Sequence, residues 1–321
     1  MKRSAALFLA CALTATTALA DAPTRLDLDD PNDAVRGLQK IQCHLEDGKP
    51  AIYYFTGSVY SRRAGEPDRR LFDYQAMNLR ACKSFEDETK GYGYRQVSKE
   101  VVVYLDPRTG TILREWQNPW SGEGVEVVHV ANDPVNTDVI WANGERGPFA
   151  LGAEFAEGRG WLSFEIPLFY ENPLGGEYQI YAGGVYQAIE MFVFHFDESD
   201  LLDPEVTGLD DTHVSWSRVA PWLPWMRMRG RTGWVVYSGA GKRVRSWDAL
   251  PELLRDEIAK NHEGFDEPPP LDDDRDNETS WTYFKTFIDD QRARAKAAEE
   301  KAEAENAAIR ESVESESEPE R

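Results

Sequence analysis

The chain has 321 residues, with 57 acidic against 36 basic side chains and a formal net charge of −21. That balance repels phosphate backbones and anionic lipid surfaces, which excludes nucleic acid as a partner. The length suffices to bury a large core without a metal or a dense set of disulfides.

The first residues, Met1-Lys2-Arg3-Ser4, precede a short apolar run and the small-residue stretch Ala18-Leu19-Ala20. A basic start, a hydrophobic core and an A-x-A site predict a signal peptide over 1–20, cleaved after Ala20, and a periplasmic or secreted protein. The apolar run is too short to span a bilayer, and no other segment reads as transmembrane. A lipid-bearing Cys11 would require a longer apolar segment before it. After cleavage only Cys43 and Cys82 remain. In an oxidising compartment they form either one disulfide or two buried free thiols, and no CxxC or Cys/His spacing points to a metal.

A polar lead-in over 21–33 gives way to short aromatic and β-branched runs separated by turn residues. Strands are predicted at 51–60, 69–77 and 92–105, then, across the turn Asp106-Pro107-Arg108-Thr109-Gly110, at 111–116 as a hairpin. Further strands are expected at 125–131, 138–141, 149–155, 160–167, 177–197, 212–219 and 233–237. The long 177–197 run is expected to bend at Gly183-Gly184. In 191–197 one face offers Met191, Val193 and His195, and the other Phe192, Phe194 and Phe196. Apolar residues on both faces of many strands, with few helical patterns between them, predict a mainly β fold. It is antiparallel, a curled or closed barrel-like sheet with C-terminal helices, forming one domain over 21–262.

Pro251 opens a helical pattern over 251–261, with Leu253, Leu254 and Ile258 at helical spacing. An acidic, proline-rich linker is expected over 263–278. From Thr279 a longer helix carries Trp281, Phe284, Phe287 and Ile288 on an apolar stripe that docks on the body. Beyond Asp289 it becomes Ala, Glu, Lys and Arg, a solvated end reaching about residue 310, with a disordered tail over 311–321. The solvated end offers a surface for a protein partner.

The densest polar stretch is Asn118 to Asn136, NPWSGEGVEVVHVANDPVN. A period of two places Val125, Val127 and His129 on one face and Glu126, Val128 and Val130 on the other. His129 therefore needs a carboxylate from elsewhere, with Asp133, Asp197 or Glu190 as candidates. An imidazole so held is a competent general acid or base; the alternative is a core histidine bonded to backbone. Asn132, Asp133 and Asn136 equally read as turn residues. His195 and Asp197 share one face, but no local ligand spacing supports a metal site. A second dense region, 215–229, supplies Trp216, Trp222 and Trp225 with Arg218. It is either an aromatic wall with an arginine that steers a carboxylated ligand or a tryptophan plug closing one end of the barrel.

The stretch NPWSGEGVEVVHVANDPVN resembles the signature of a bacterial family known only as a domain of unknown function, family number 1838. Ser215 to Met226, with WSRVAPWLPWM, and Glu278-Thr279-Ser280-Trp281-Thr282-Tyr283-Phe284 are similar to it as well, so the resemblance spans nearly the whole mature chain and implies no activity. No G-x-S-x-G elbow, P-loop or G-x-G-x-x-G motif is present, and nothing calls for a cofactor.

Three functions follow from these readings. The first is a binding protein for a small, largely apolar or aromatic ligand, held by Trp120, Trp216, Trp222 and Arg218, with Glu126, Asn132, Asn136 and Trp225 nearby. The second is a cofactor-independent lyase, isomerase or hydrolase using His129, with Asp133, His195 and Asp197 as the other catalytic candidates. The third is an envelope interaction protein acting through the C-terminal helix.

Overall fold

The β-branched and aromatic runs pair into one large antiparallel sheet, because such side chains fill a pleated surface packed on both faces. A computed structural model describes residues 25–172, 174–178, 185–228 and 230–317, with side chains through 306. The predicted signal peptide, the Gly183-Gly184 bend and residues 318–321 lie outside the described residues. The strands are β1 (Ala51–Arg62), β2 (Arg69–Asp87), β3 (Gly91–Leu105), β4 (Glu115–Gln117), β5 (Gly124–Glu126), β6 (Val130–Asn132) and β7 (Ile140–Trp141). They continue as β8 (Asn143–Gly144), β9 (Gly147–Pro148), β10 (Glu154–Ala156), β11 (Arg159–Glu171), β12 (Val185–Asp197), β13 (His213–Ala220) and β14 (Trp234–Val244). The helices are α1 (Pro31–Gln42), α2 (Glu198–Leu202), α3 (Glu252–Asn261) and α4 (Ser280–Ser317). Among the described residues no helix is long and apolar enough to cross a membrane.

The main sheet runs β10-β11-β12-β13-β14-β1-β2-β3-β6, with β7 also on β3; β4-β5 and β8-β9 form separate ribbons. It is open and strongly curled. The hydroxyls of Tyr104 on β3 and Tyr237 on β14 lie 2.9 Å apart, although β1 and β2 stand between their strands. A flat sheet would hold those strands about 14 Å apart. Glycine permits part of the tight inner packing: a Cβ on Gly239 would lie 2.0 Å from the Tyr74 hydroxyl.

Alternation sorts the side chains of the central strands. On β2, Phe72, Tyr74, Ala76 and Cys82 join the concave core with Tyr53, Phe55, Phe194 and Trp216, while Met77 and Leu79 join Ile52, Val101 and Val103 on the convex face. Helix α3 covers that convex face with Leu254 and Ile258. The concave face is closed at one end by α1 and along its open seam by the first turns of α4. Tyr53 and Tyr94 hydrogen-bond the Ile41 carbonyl and the Gln42 side chain at the end of α1. Trp281 of α4 packs on Tyr186 of β12, and Gln291 bonds Glu126 on the other side of the gap.

Several elements differ from their sequence patterns. Helix α1 lies where only a polar lead-in and an unassigned stretch were expected. Asp30 caps it by accepting from the Asn32 and Asp33 amides, Pro31 opens it, and Ala34, Val35, Leu38 and Ile41 bury one face. The predicted 125–131 strand is interrupted at 127–129, so Val127, Val128 and His129 are all buried and strict alternation is lost. The 111–116 hairpin reduces to one bridge, Leu105 with Ile112, because β4 pairs instead with β5. Helix α4 is exposed over 291–306, and its backbone stays helical to Ser317.

Cys43, just past α1, is disulfide-bonded to Cys82 on β2, which ties the end-closing helix to the sheet. Replacing both cysteines by serine should lower unfolding stability by roughly 2–5 kcal/mol. The readout is the denaturant midpoint at constant slope, and an unchanged midpoint would mean the bond contributes nothing to the fold.

A charged cavity in the concave face

The closure by curl, helix and plug leaves the middle of the concave face unfilled. A cavity of about 90 Å³, counted as room for the centres of water molecules, lies there. One water needs about 10–15 Å³ on that measure, so several waters or one small molecule fit. Phe55, Phe192, Trp216, Tyr104, Tyr237 and Leu223 form its apolar wall. Trp216 is the centre of that wall, with the rings of Phe55, Tyr74, Phe192 and Tyr237 between 5.5 and 6.3 Å from its own.

Four charged side chains interrupt this apolar lining: Arg80, Glu100, Glu190 and Arg218. Glu190 and Arg218 face each other across β12 and β13 and pair at 3.0 Å, and the Trp216 indole N–H donates to the same carboxylate at 3.3 Å. The Tyr186 hydroxyl accepts from Arg218 at 2.5 Å. Burial works against the Arg218 charge, but Tyr186 and Glu190 outweigh it and hold the guanidinium firmly protonated. Arg80 and Glu100 have no such match. The Glu100 carboxylate accepts from Asn132 Nδ2 at 2.6 Å, and burial, reinforced by Glu190, raises its pKa above the usual carboxylate range. Arg80 donates to Asn78 at 2.7 Å and Gln96 at 3.2 Å and lies over the Tyr53 ring, all neutral partners. Burial lowers its pKa to about 10, which still leaves it charged at neutral pH.

Of the residues singled out in the sequence, the cavity gathers Trp216, Arg218, Glu190 and, through Glu100, Asn132. Trp120, Trp222 and Trp225 belong instead to the aromatic plug at the end opposite α1. There Trp120 packs on Trp222, and Trp225 contacts Trp116, Phe72 and Tyr104. The 215–229 segment thus provides a wall at Trp216 and Arg218 and a plug at Trp222 and Trp225.

His129 does not form the dyad considered above. Its Nδ1 accepts from the Tyr104 amide at 3.1 Å, while its Nε2 is buried with no hydrogen-bond partner. Neither nitrogen therefore meets a carboxylate. The ring borders a void of about 10 Å³, enough for about one water. Asp133 is held elsewhere, by Arg275 at 2.7 Å and Lys99 at 3.3 Å. Asp197 pairs with Arg159 at 2.6 Å, and His195 is exposed on the outer face opposite His213. Glu126 is likewise exposed, accepting from Gln291. Among the described residues, no group of three or more His, Cys, Asp or Glu is arranged to hold a metal.

The Asn132-Asp133-Pro134-Val135-Asn136 run straps down the end of the segment expected as an acidic, proline-rich linker. The Asn136 amide donates to Asn277 Oδ1 at 2.6 Å, and Asn277 Nδ2 returns a bond to the Asn136 carbonyl at 2.7 Å. The Glu278 amide donates to the Pro134 carbonyl at 2.8 Å, and the Asp133 amide to the Glu278 carboxylate at 3.2 Å. Turn-forming residues thus fix where α4 begins, and Ser280 at its start lines the cavity.

Burial also holds the His129 pKa down at about 4, against 6.5 when unfolded. Below pH 6.5 the unfolded chain takes up a proton that the folded chain refuses until about pH 4. The contribution to stability is therefore full above pH 6.5 and is lost as pH falls towards 4, by about 3 kcal/mol. His129→Gln should flatten this part of the stability profile in denaturant titrations at stepped pH. His44, also held at about 4 by burial, and His262, lowered by burial as well, add slope of the same sign. A variant with the slope of the wild type would exclude this linkage.

Searches of curated proteins and of solved structures return no match. Residues 48–288 match the family described as "Protein of unknown function (DUF1838)". That span takes in the curled sheet, all four charged cavity residues, the strap and the docked start of α4, and the chain belongs to this family.

Proposed function

We propose that the protein is exported and binds a small, largely apolar or aromatic ligand in the cavity of the concave face. The observation that carries this reading is the combination of a preformed hollow, an aromatic wall around Trp216 and a few convergent polar groups. A core built only for stability fills such a space at close-packed density, and ligand sites combine apolar walls with few polar groups in this way. The buried charges favour a site over simple packing, since desolvated charges weaken a core unless fully matched. Export is supported by the basic and apolar start of the chain and by the Cys43–Cys82 bond, which persists in oxidising compartments.

The test is native mass spectrometry of the full protein taken from the periplasm, with a panel of small aromatic compounds added to the ligand-stripped protein. A bound small molecule, or saturable quenching of tryptophan fluorescence by members of the panel, is expected. Ala76→Leu places extra volume inside the cavity and should weaken binding by about tenfold or more while unfolding stays cooperative. Absence of any bound compound, or equal binding by Ala76→Leu, would exclude the cavity as the site.

A further inference from the structure

The four cavity charges are two of each sign, but only Arg218 and Glu190 are in contact; Glu100 acts on Arg80 from beyond ion-pair distance, and the free edge of Arg80 identifies one end of the ligand. Arg218 is matched by Glu190. Among the described residues Arg80 has no carboxylate within 4.0 Å, and its Nη2 makes no hydrogen bond, although the residue is only 9 % exposed. Its Nε and Nη1 are fixed by Asn78 and Gln96, and the Tyr53 ring lies 4.9 Å below the guanidinium. The group is thus held in one orientation with one donor edge unused, as a pre-organised anion site requires. With its Oδ1 taken by Arg80, Asn78 leaves its amide nitrogen as a second, neutral donor on the same wall.

We propose that Arg80 anchors a single carboxylate at the end of an apolar or aromatic ligand whose body lies against Trp216, Phe55 and Phe192. This rests on the reading of the cavity as a ligand site and names the ligand's head group. One guanidinium with a free donor edge and no carboxylate in contact suits one negatively charged group. A phosphate dianion would bring a second negative charge into the cavity with no second free cation to meet it. A neutral head group would leave Arg80 buried with only neutral acceptors. Arg218, the arginine that stands out in the sequence, is not the anchor, because Glu190 already occupies it.

The experiment compares para-fluorophenylacetate, its amide and para-fluorotoluene by fluorine NMR on the full protein stripped of ligand. The acid should bind about tenfold or more tightly than the amide, because only the acid supplies the missing charge. In Arg80→Met the ratio of acid to amide affinity should fall to about one, while thermal unfolding reports whether the variant is folded. Arg80→Lys keeps the charge but loses the fixed fork, so a several-fold drop in the same ratio is expected; it decides the matter if Arg80→Met does not fold. Equal affinities of acid and amide for the wild type, or an acid preference that survives both substitutions, overturn the anchor while leaving the cavity as an apolar site. If none of the three probes binds, the ligand-site reading fails and the anchor fails with it.

Discussion

An antiparallel sheet that curls without closing must cover its concave face by means other than strand pairing. Exposed aromatic rows would otherwise face water, and unpaired edges would invite other chains. In this protein the seam between β6 and the β11–β12 end of the sheet is filled by Trp281, Phe284 and Ile288 of α4, which join the same core as Tyr186 and Phe194. One end is closed by α1, tied by the Cys43–Cys82 bond, and the other by the tryptophan plug. Every other feature of the interior depends on this closure. It sets the size of the hollow that remains and removes the charged groups inside it from bulk water.

The position of α4 in turn depends on polar contacts outside the core. The reciprocal Asn136–Asn277 pair, the Glu278 contacts and the Asp133–Arg275 bridge hold the chain where the helix starts. Among these groups are Asp133, a catalytic candidate in the sequence, and Asn136, a ligand-binding one. Their arrangement explains the density of Asn, Asp and Pro in that stretch by turn and strap geometry, without any demand from a reaction. His129 fits the same account: buried, neutral and bonded to backbone, it fills the layer between Tyr104 and the plug.

The interior charges behave differently. Within one cavity, Arg218 and Glu190 form an ion pair, Glu100 is drawn towards its neutral form, and Arg80 keeps a charge that touches only neutral amides and a tyrosine ring, with Glu100 acting on it from beyond contact. Burial separates the behaviour of two glutamates and two arginines that would be indistinguishable in water. That separation gives the hollow a polarity, with an aromatic wall on one side and a cation with no carboxylate in contact on the other.

Much of the frame was legible in the sequence. The aromatic and β-branched run of β3, the period of two over the end of β12, the turn at Asp106 to Gly110 and the apolar stripe of α4 each rest on local rules, and local rules survive into the fold. The same period, followed past Met77, puts Asn78, Arg80 and Cys82 in the inward row of Phe72 and Tyr74. A charge in an inward aromatic row was therefore a readable signal, hidden because the strand was ended too early. What the sequence determined by itself is which residues alternate, turn and cap, since those properties depend on neighbours in the chain. Which charge meets a partner was decided only by the tertiary structure. Curling brings β3 towards β12 and β13, and a charge's fate depends on what lies within a few ångströms across strands distant in sequence.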